Sequence, residues 1–232
     1  MMYWEQDRED KRHWSVPDDI VDLVYGIHCK TLPLDHAFAF SQALQAALPW
    51  LAEEEVAGIH LIHGAESGNG WFRPEDGEGQ LLHLPRRARM SIRVPRERVE
   101  DARALVGQTL DIDGYPLQVG ELTTRKLSSL ATQFSRYVVD ADGQSEEEFL
   151  EHVVQEMRTL GIPVRKLMCG LSHVIRTPEE DLHTRAVMVA DLDPAHAVLL
   201  QEQGIGPGRK LGCGLFIPHK GVSSVGETRA DD

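Results

Sequence analysis

The chain has 232 residues, 41% of them hydrophobic, and a formal net charge of −13, enough for two small domains with buried cores and too acidic for a general polyanion binder. No apolar run approaches the ~20 residues of a membrane span, and residues 1–17 are polar, unlike a secretory signal, and are expected to be a loose tail or an extra edge element. Cys29, Cys169 and Cys213 are far apart and include no C-x-x-C, which argues against a disulfide framework or a thiolate zinc site and for a reducing, cytoplasmic compartment.

In chain order, residues 21–29 predict a strand, with loosely alternating β-formers. Asp35 is a plausible N-cap for the following helix, whose apolar stripe is Phe40, Leu44, Leu48 and Leu51, with Pro49 interrupting its end. A short strand over 58–63 precedes a polar, glycine-rich loop over 64–79. Residues 81–94 alternate as one long strand with arginines at many of the outward positions. Pro95 opens a helix that ends at Gly107, and Asp113–Gly114 marks a hairpin within 109–119. The order then repeats: strand 132–139, a helix from Ser145 with Glu148 as its capping-box partner, strands 164–171 and 185–190, a helix from Asp193–Pro194 to about residue 203, and a last strand over 215–218.

Two successive strand–helix–strand–strand–helix–strand runs predict an α+β protein of two tandem ferredoxin-like (RRM-like) βαββαβ domains. The expected organisation is a tail over 1–17, domains over 18–127 and 128–220, and a second tail over 221–232.

Charge is unevenly distributed. Residues 86–103 hold seven arginines against three acids. Arg87, Arg89 and Arg93 share one strand parity and are expected, with Arg86, to face a phosphate backbone; the alternative is a charged edge strand. Five glycines, Gly204, Gly206, Gly208, Gly212 and Gly214, fall within eleven residues beside Arg209 and Lys210. Such a loop can present amides to phosphate, with Lys220 just beyond, or it can be a turn with helix-stopping glycines. It is not a Walker loop, because Leu211 follows Lys210 and the loop runs from helix to strand.

Two segments carry a resemblance. L-P-L-D-H-A-F-A-F-S-Q-A-L (32–44) resembles the start of the first helix in the CRISPR-associated repeat-RNA endoribonucleases, the Cas-six family. L-G-C-G-L-F-I-P-H-K (211–220) is similar to the C-terminal end of a myxobacterial-type branch of it. The resemblance implies cleavage of precursor CRISPR RNA within each repeat by the RNA's own 2′-hydroxyl. The products are a 2′,3′-cyclic phosphate and a 5′-hydroxyl, and neither metal nor cofactor is needed. It implies repeat RNA as partner and, for some members, other subunits of the effector complex. A non-catalytic RNA-binding subunit of that complex is the alternative.

The reaction needs a base for the 2′-hydroxyl and an acid for the departing 5′-oxygen. The resemblance makes His36, at the first turn of its helix, the expected base, with His28, Lys30, Tyr25 and Ser41 as possible helpers. Of the 11 histidines, His60 and His63 are read as structural or rim residues, and His83 and His219 as potential RNA contacts. Neither an H-E-x-x-H nor a tight acidic set suggests a metal site.

Overall fold

The computed structural model describes residues 15–64, 80–141 and 144–219. Residues 65–79 of the loop expected over 64–79, Lys220, and the tails before residue 15 and after 219 lie outside these residues.

The first sheet contains β1 (Ile20–His28), β3 (Gly58–His60), β5 (Arg89–Pro95), β6 (Thr109–Ile112) and β7 (Tyr115–Lys126), in the order β3-β5-β1-β7-β6. All its pairings are antiparallel. Counting β6–β7 as one hairpin, this is the order expected of a split βαβ unit. Helix α1 (Ala37–Ala47) buries Phe40 and Leu44, four residues apart, and Leu48 and Leu51 continue the stripe; that spacing keeps them on one helical face against the sheet. Pro49, which cannot donate an amide, starts the short α2 (Trp50–Glu53). The N-cap of α1 is His36, not Asp35, and it makes no side-chain capping bond; Asp35 instead reaches Arg176 at 3.6 Å.

The expected strand over 81–94 is two strands. β4 (Leu81–His83) pairs with β2 (Thr31–Pro33) in a separate ribbon, and β5 begins only at Arg89. Alternation continues through 84–88, but Pro85 removes a donor there and the Ala88 amide bonds back to the Pro85 carbonyl at 2.9 Å, forming a turn. The helix expected after Pro95 is also broken: only α3 (Val99–Ala102) is α-helical, between two 3-10 turns.

The second sheet has the order β11-β8-β10-β9, from β8 (Gln133–Val139), β9 (Lys166–Ile175), β10 (Leu182–Ala190) and β11 (Ile217–Pro218). Helices α4 (Glu146–Thr159) and α5 (Pro194–Gln203) close its core, where Phe149, Val153, Met157, Ala197 and Leu200 meet Val138, Val187 and Val189. The expected capping box is present: the Glu148 amide donates to Ser145 Oγ at 3.2 Å, and the Ser145 amide donates to the Glu148 carboxylate at 2.8 Å. The three cysteines are unpaired, and among the described residues no helix is long and apolar enough to cross a membrane.

The halves meet over a third apolar cluster. Ala37 at the start of α1 packs with Ile175 of β9 and Cys213 of the glycine-rich loop, beside Leu61, Tyr137, Val139 and Leu182.

Candidate functional site

Arg93 shows first why the expected arginine row divides. It is fully buried. Its Nε and Nη2 donate to the two carboxylate oxygens of Asp22 at 2.8 and 3.2 Å. Its Nη1 donates to the carbonyls of Gln201 at 2.8 Å and Phe216 at 3.0 Å, in the other half of the chain. Arg93 therefore joins the halves from inside and does not face RNA as its strand parity suggested. Parity assigns a face, but α5 and the segment before β11 cover Arg93 on it, while Arg87 and Arg89 stay exposed. Burial works against the Asp22 carboxylate, but the Arg93 guanidinium, with His60 beside it, holds it well below the usual carboxylate range.

The remaining arginines sort by partner. Arg96 pairs with Asp18, Arg98 with Glu54 and Asp101, and Arg103 with Glu100. Arg86, Arg87 and Arg89 are exposed, and no acidic side chain among the described residues pairs with them. The chain pairing brings three more groups to that edge. The Ile27 amide bonds the Ala88 carbonyl, the Leu84 amide bonds the Lys30 carbonyl, and Thr31 lies opposite His83. Exposed His28, Lys30 and His83 thus flank the exposed arginines, forming one cationic edge.

The glycine-rich loop is stapled down. The amides of Gly204, Gly206, Gly212 and Gly214 donate to Leu200 O, Glu156 Oε2, Arg209 O and Tyr137 O, so the expected cradle of amides is turned inward at four of its five glycines. The fifth, Gly208, accepts through its carbonyl from the amides of Leu211 and Cys213. Arg209 donates to the carbonyls of Val56, Glu202 and Gln203, and Lys210 to those of Glu54 and Ala57. Both are half-buried cations capping backbone of the α2–β3 connection, not groups held out toward RNA. Burial, reinforced by the neighbouring arginine in each case, lowers Arg209 to about 10 and Lys210 to about 8. The turn reading of this segment fits its hydrogen bonds better than the phosphate-cradle reading.

His36 is 3% exposed. Its Nδ1 lies 3.0 Å from the Pro33 carbonyl and 3.2 Å from that of Leu34, and its Nε2 accepts the Ile62 amide at 3.2 Å. Acceptors on one side and a donor on the other fix the Nδ1–H tautomer, leaving neither nitrogen turned to a substrate. The expected general base is thus a satisfied interior histidine at the start of α1. Two expected helpers are interior as well. Tyr25 is fully buried with its hydroxyl on the Ala102 carbonyl at 2.9 Å, and burial raises its pKa strongly. Ser41 is 1% exposed and accepts from Gln45 at 2.8 Å.

The seam beside His36 carries His63, expected from the sequence to be structural or rim, and two rings that the sequence does not single out, Tyr137 and His173. His63 stacks on Tyr137 with centroids 6.1 Å apart and planes 28° apart, and Tyr137 meets His173 at 5.2 Å. These rings come from the segment after β3, from β8 and from β9, so their juxtaposition had no local signal. Among the described residues no group of three or more His, Cys, Asp or Glu is arranged to hold a metal ion.

Two antiparallel sheets backed by helices, with a small separate ribbon, locked by a buried arginine and an apolar seam, define an α+β protein. A family model described as Cas6 Crispr matches residues 21–221, and the chain belongs to that family. A relative from Myxococcus xanthus (strain DK1622), a CRISPR-associated endonuclease Cas6, is 29% identical over 198 residues, covering 85% of this chain and 81% of its own. A solved CRISPR associated protein Cas6 matches with a TM-score of 0.59 at 9% identity, over 87% of this chain and 100% of that one. A structure described as an RAMP protein binding different RNA substrates matches with a TM-score of 0.56 at 13% identity, over 85% and 98%. At these identities the two structures speak for the fold alone.

Proposed function

We propose that the chain is an endoribonuclease that binds CRISPR repeat hairpin RNA and cuts precursor crRNA by attack of the RNA's own 2′-hydroxyl, without a metal. The products are a 2′,3′-cyclic phosphate and a 5′-hydroxyl. The scaffold is read as two tandem ferredoxin-like domains, 18–127 and 128–220, whose strand orders support that reading. The observation that carries the function is the family match along 21–221, which spans both sheets and the seam. The name of the Myxococcus relative, an endonuclease, supports it.

The cationic edge of Arg86, Arg87, Arg89 and Lys30 supplies the phosphate contacts, and recognition is by hairpin shape and backbone. The chemistry lies at the start of α1, where His36 belongs to the site. A repeat RNA carrying a single 2′-deoxy nucleotide 5′ to the cut tests the mechanism: it should bind as the natural RNA does and remain intact. Cleavage of the deoxy RNA at that position would exclude 2′-hydroxyl attack.

One observation favours a second reading, a non-catalytic RNA-binding subunit of an effector complex. The residue expected to be the base is enclosed, with both ring nitrogens occupied. That reading predicts tight hairpin binding with the RNA left uncut.

A further inference from the structure

The geometry points to His63 and His173, bridged by Tyr137, as the proton-transfer groups of this site, with His36 as the positioning residue behind His63. This assignment rests on the endoribonuclease reading.

Three observations carry it. First, the three rings adjoin: His63 stacks on Tyr137, and Tyr137 meets His173 at a tilt of 47°, with His63 exposed and the other two half-buried. Second, the three rings cross the seam at the start of α1. His173 shares its face of β9 with Ile175, which packs on Ala37, and Tyr137 and Leu61 border the same cluster. Third, each ring's backbone is braced. The Ile62 amide, next to His63, donates to His36 Nε2 at 3.2 Å. The Tyr137 carbonyl accepts the Gly214 amide at 2.7 Å. The His173 carbonyl accepts the hydroxyl of buried Thr184 at 2.9 Å. A site whose supporting bonds fix its reactive groups is preorganised for chemistry. Two imidazoles are the side chains best suited to act as base and acid near neutral pH.

In the step, one imidazole takes the 2′-hydroxyl proton as that oxygen bonds to phosphorus. The bond from phosphorus to the 5′-oxygen breaks, and the other imidazole gives that oxygen its proton. Tyr137 lies between the two rings and sets their spacing. The Glu156 and Tyr137 acceptors that pin the glycine-rich loop then serve to fix this wall of the site.

The test uses the full chain and the repeat RNA of its own locus, natural or with sulfur replacing the 5′-oxygen at the mapped cut. His63→Ala and His173→Ala should each slow cutting of natural RNA by about 100-fold or more, with affinity held within about threefold. The sulfur RNA should rescue whichever variant lacks the acid, because a thiolate departs without a proton. If His173→Ala loses RNA binding, His173→Gln, which keeps the side-chain volume, is read in its place. Cutting within about threefold of the unsubstituted chain by both variants would overturn the assignment, and rescue of neither would overturn the division into base and acid. For His36, His36→Gln can still accept from Ile62 and donate to Pro33, so it should retain more of the rate than His36→Ala. Equal loss in the two would return the proton transfer to His36. If the unsubstituted chain leaves natural repeat RNA intact, the endoribonuclease reading itself fails and this assignment with it.

Discussion

Gly214 has a φ of +67°, and a Cβ built on it would overlap the Ile205 carbonyl, while one at Gly212 would come within 2.7 Å of Leu61 Cγ. The Gly214 amide also holds the Tyr137 carbonyl. Gly214→Ala is therefore expected to destabilise the fold by about 2 kcal/mol or more, from backbone strain and overpacking together. Urea unfolding of the variant checks this, and an unchanged midpoint would mean the loop yields. The glycines were legible in the sequence, but their reason was not. A run of positive-φ positions reads alike whether the amides face a ligand or the chain itself. His36 shows the same limit: its place at the helix start was legible, but its enclosure depends on Ile62, 26 residues away.

At the scale of elements, the turn between β4 and β5 decides which arginines are available. Pro85 and the Arg86–Arg87 turn interrupt an alternating pattern that otherwise runs on, which is why one strand was expected where two exist. The turn leaves Arg86, Arg87 and Arg89 exposed beside Lys30. Replacing the three arginines by alanine should weaken repeat-RNA binding at every sequence tested. It should also flatten the plot of log affinity against log salt by roughly 0.7–0.9 per lost phosphate contact. Filter binding across a salt series measures this; an unchanged slope would move the phosphate contacts elsewhere. Arg96, Arg98 and Arg103, each already paired with an acid, should leave the slope nearly unaltered when replaced.

For the whole molecule, most of the succession of strands and helices was legible in the periodicity, because each carries its own pattern; the β2–β4 ribbon and the broken helix after Pro95 were not. The union of the halves was not, because it rests on contacts between residues far apart in sequence: the Arg93 guanidinium on Gln201 and Phe216, Arg209 and Lys210 on the α2–β3 connection, and the Ala37–Ile175–Cys213 cluster. Arg93→Ala leaves a buried carboxylate without its partner and should cost about 3–5 kcal/mol, read as a fall in the unfolding midpoint. The pH dependence follows in two windows. His60 is lowered by burial, with Asp22 at 3.6 Å opposing; its contribution is present above its unfolded value, about 6.5, and is lost as the pH falls below it. Asp22 is lowered as well, so its contribution is present above about pH 4 and is lost on further acidification through its folded value. Stability should therefore fall in two stages below neutrality, the first diminished in His60→Gln and the second in Asp22→Asn.

In the proposed reaction this protein cuts its repeat RNA with its own side chains and the RNA's hydroxyl. The most direct measurement is incubation of the full chain with the repeat RNA of its own locus in EDTA, followed by resolution of the product ends. One cut, leaving a 2′,3′-cyclic phosphate and a 5′-hydroxyl, is the predicted result. Tight binding with the RNA intact, or cleavage that EDTA abolishes, would contradict it.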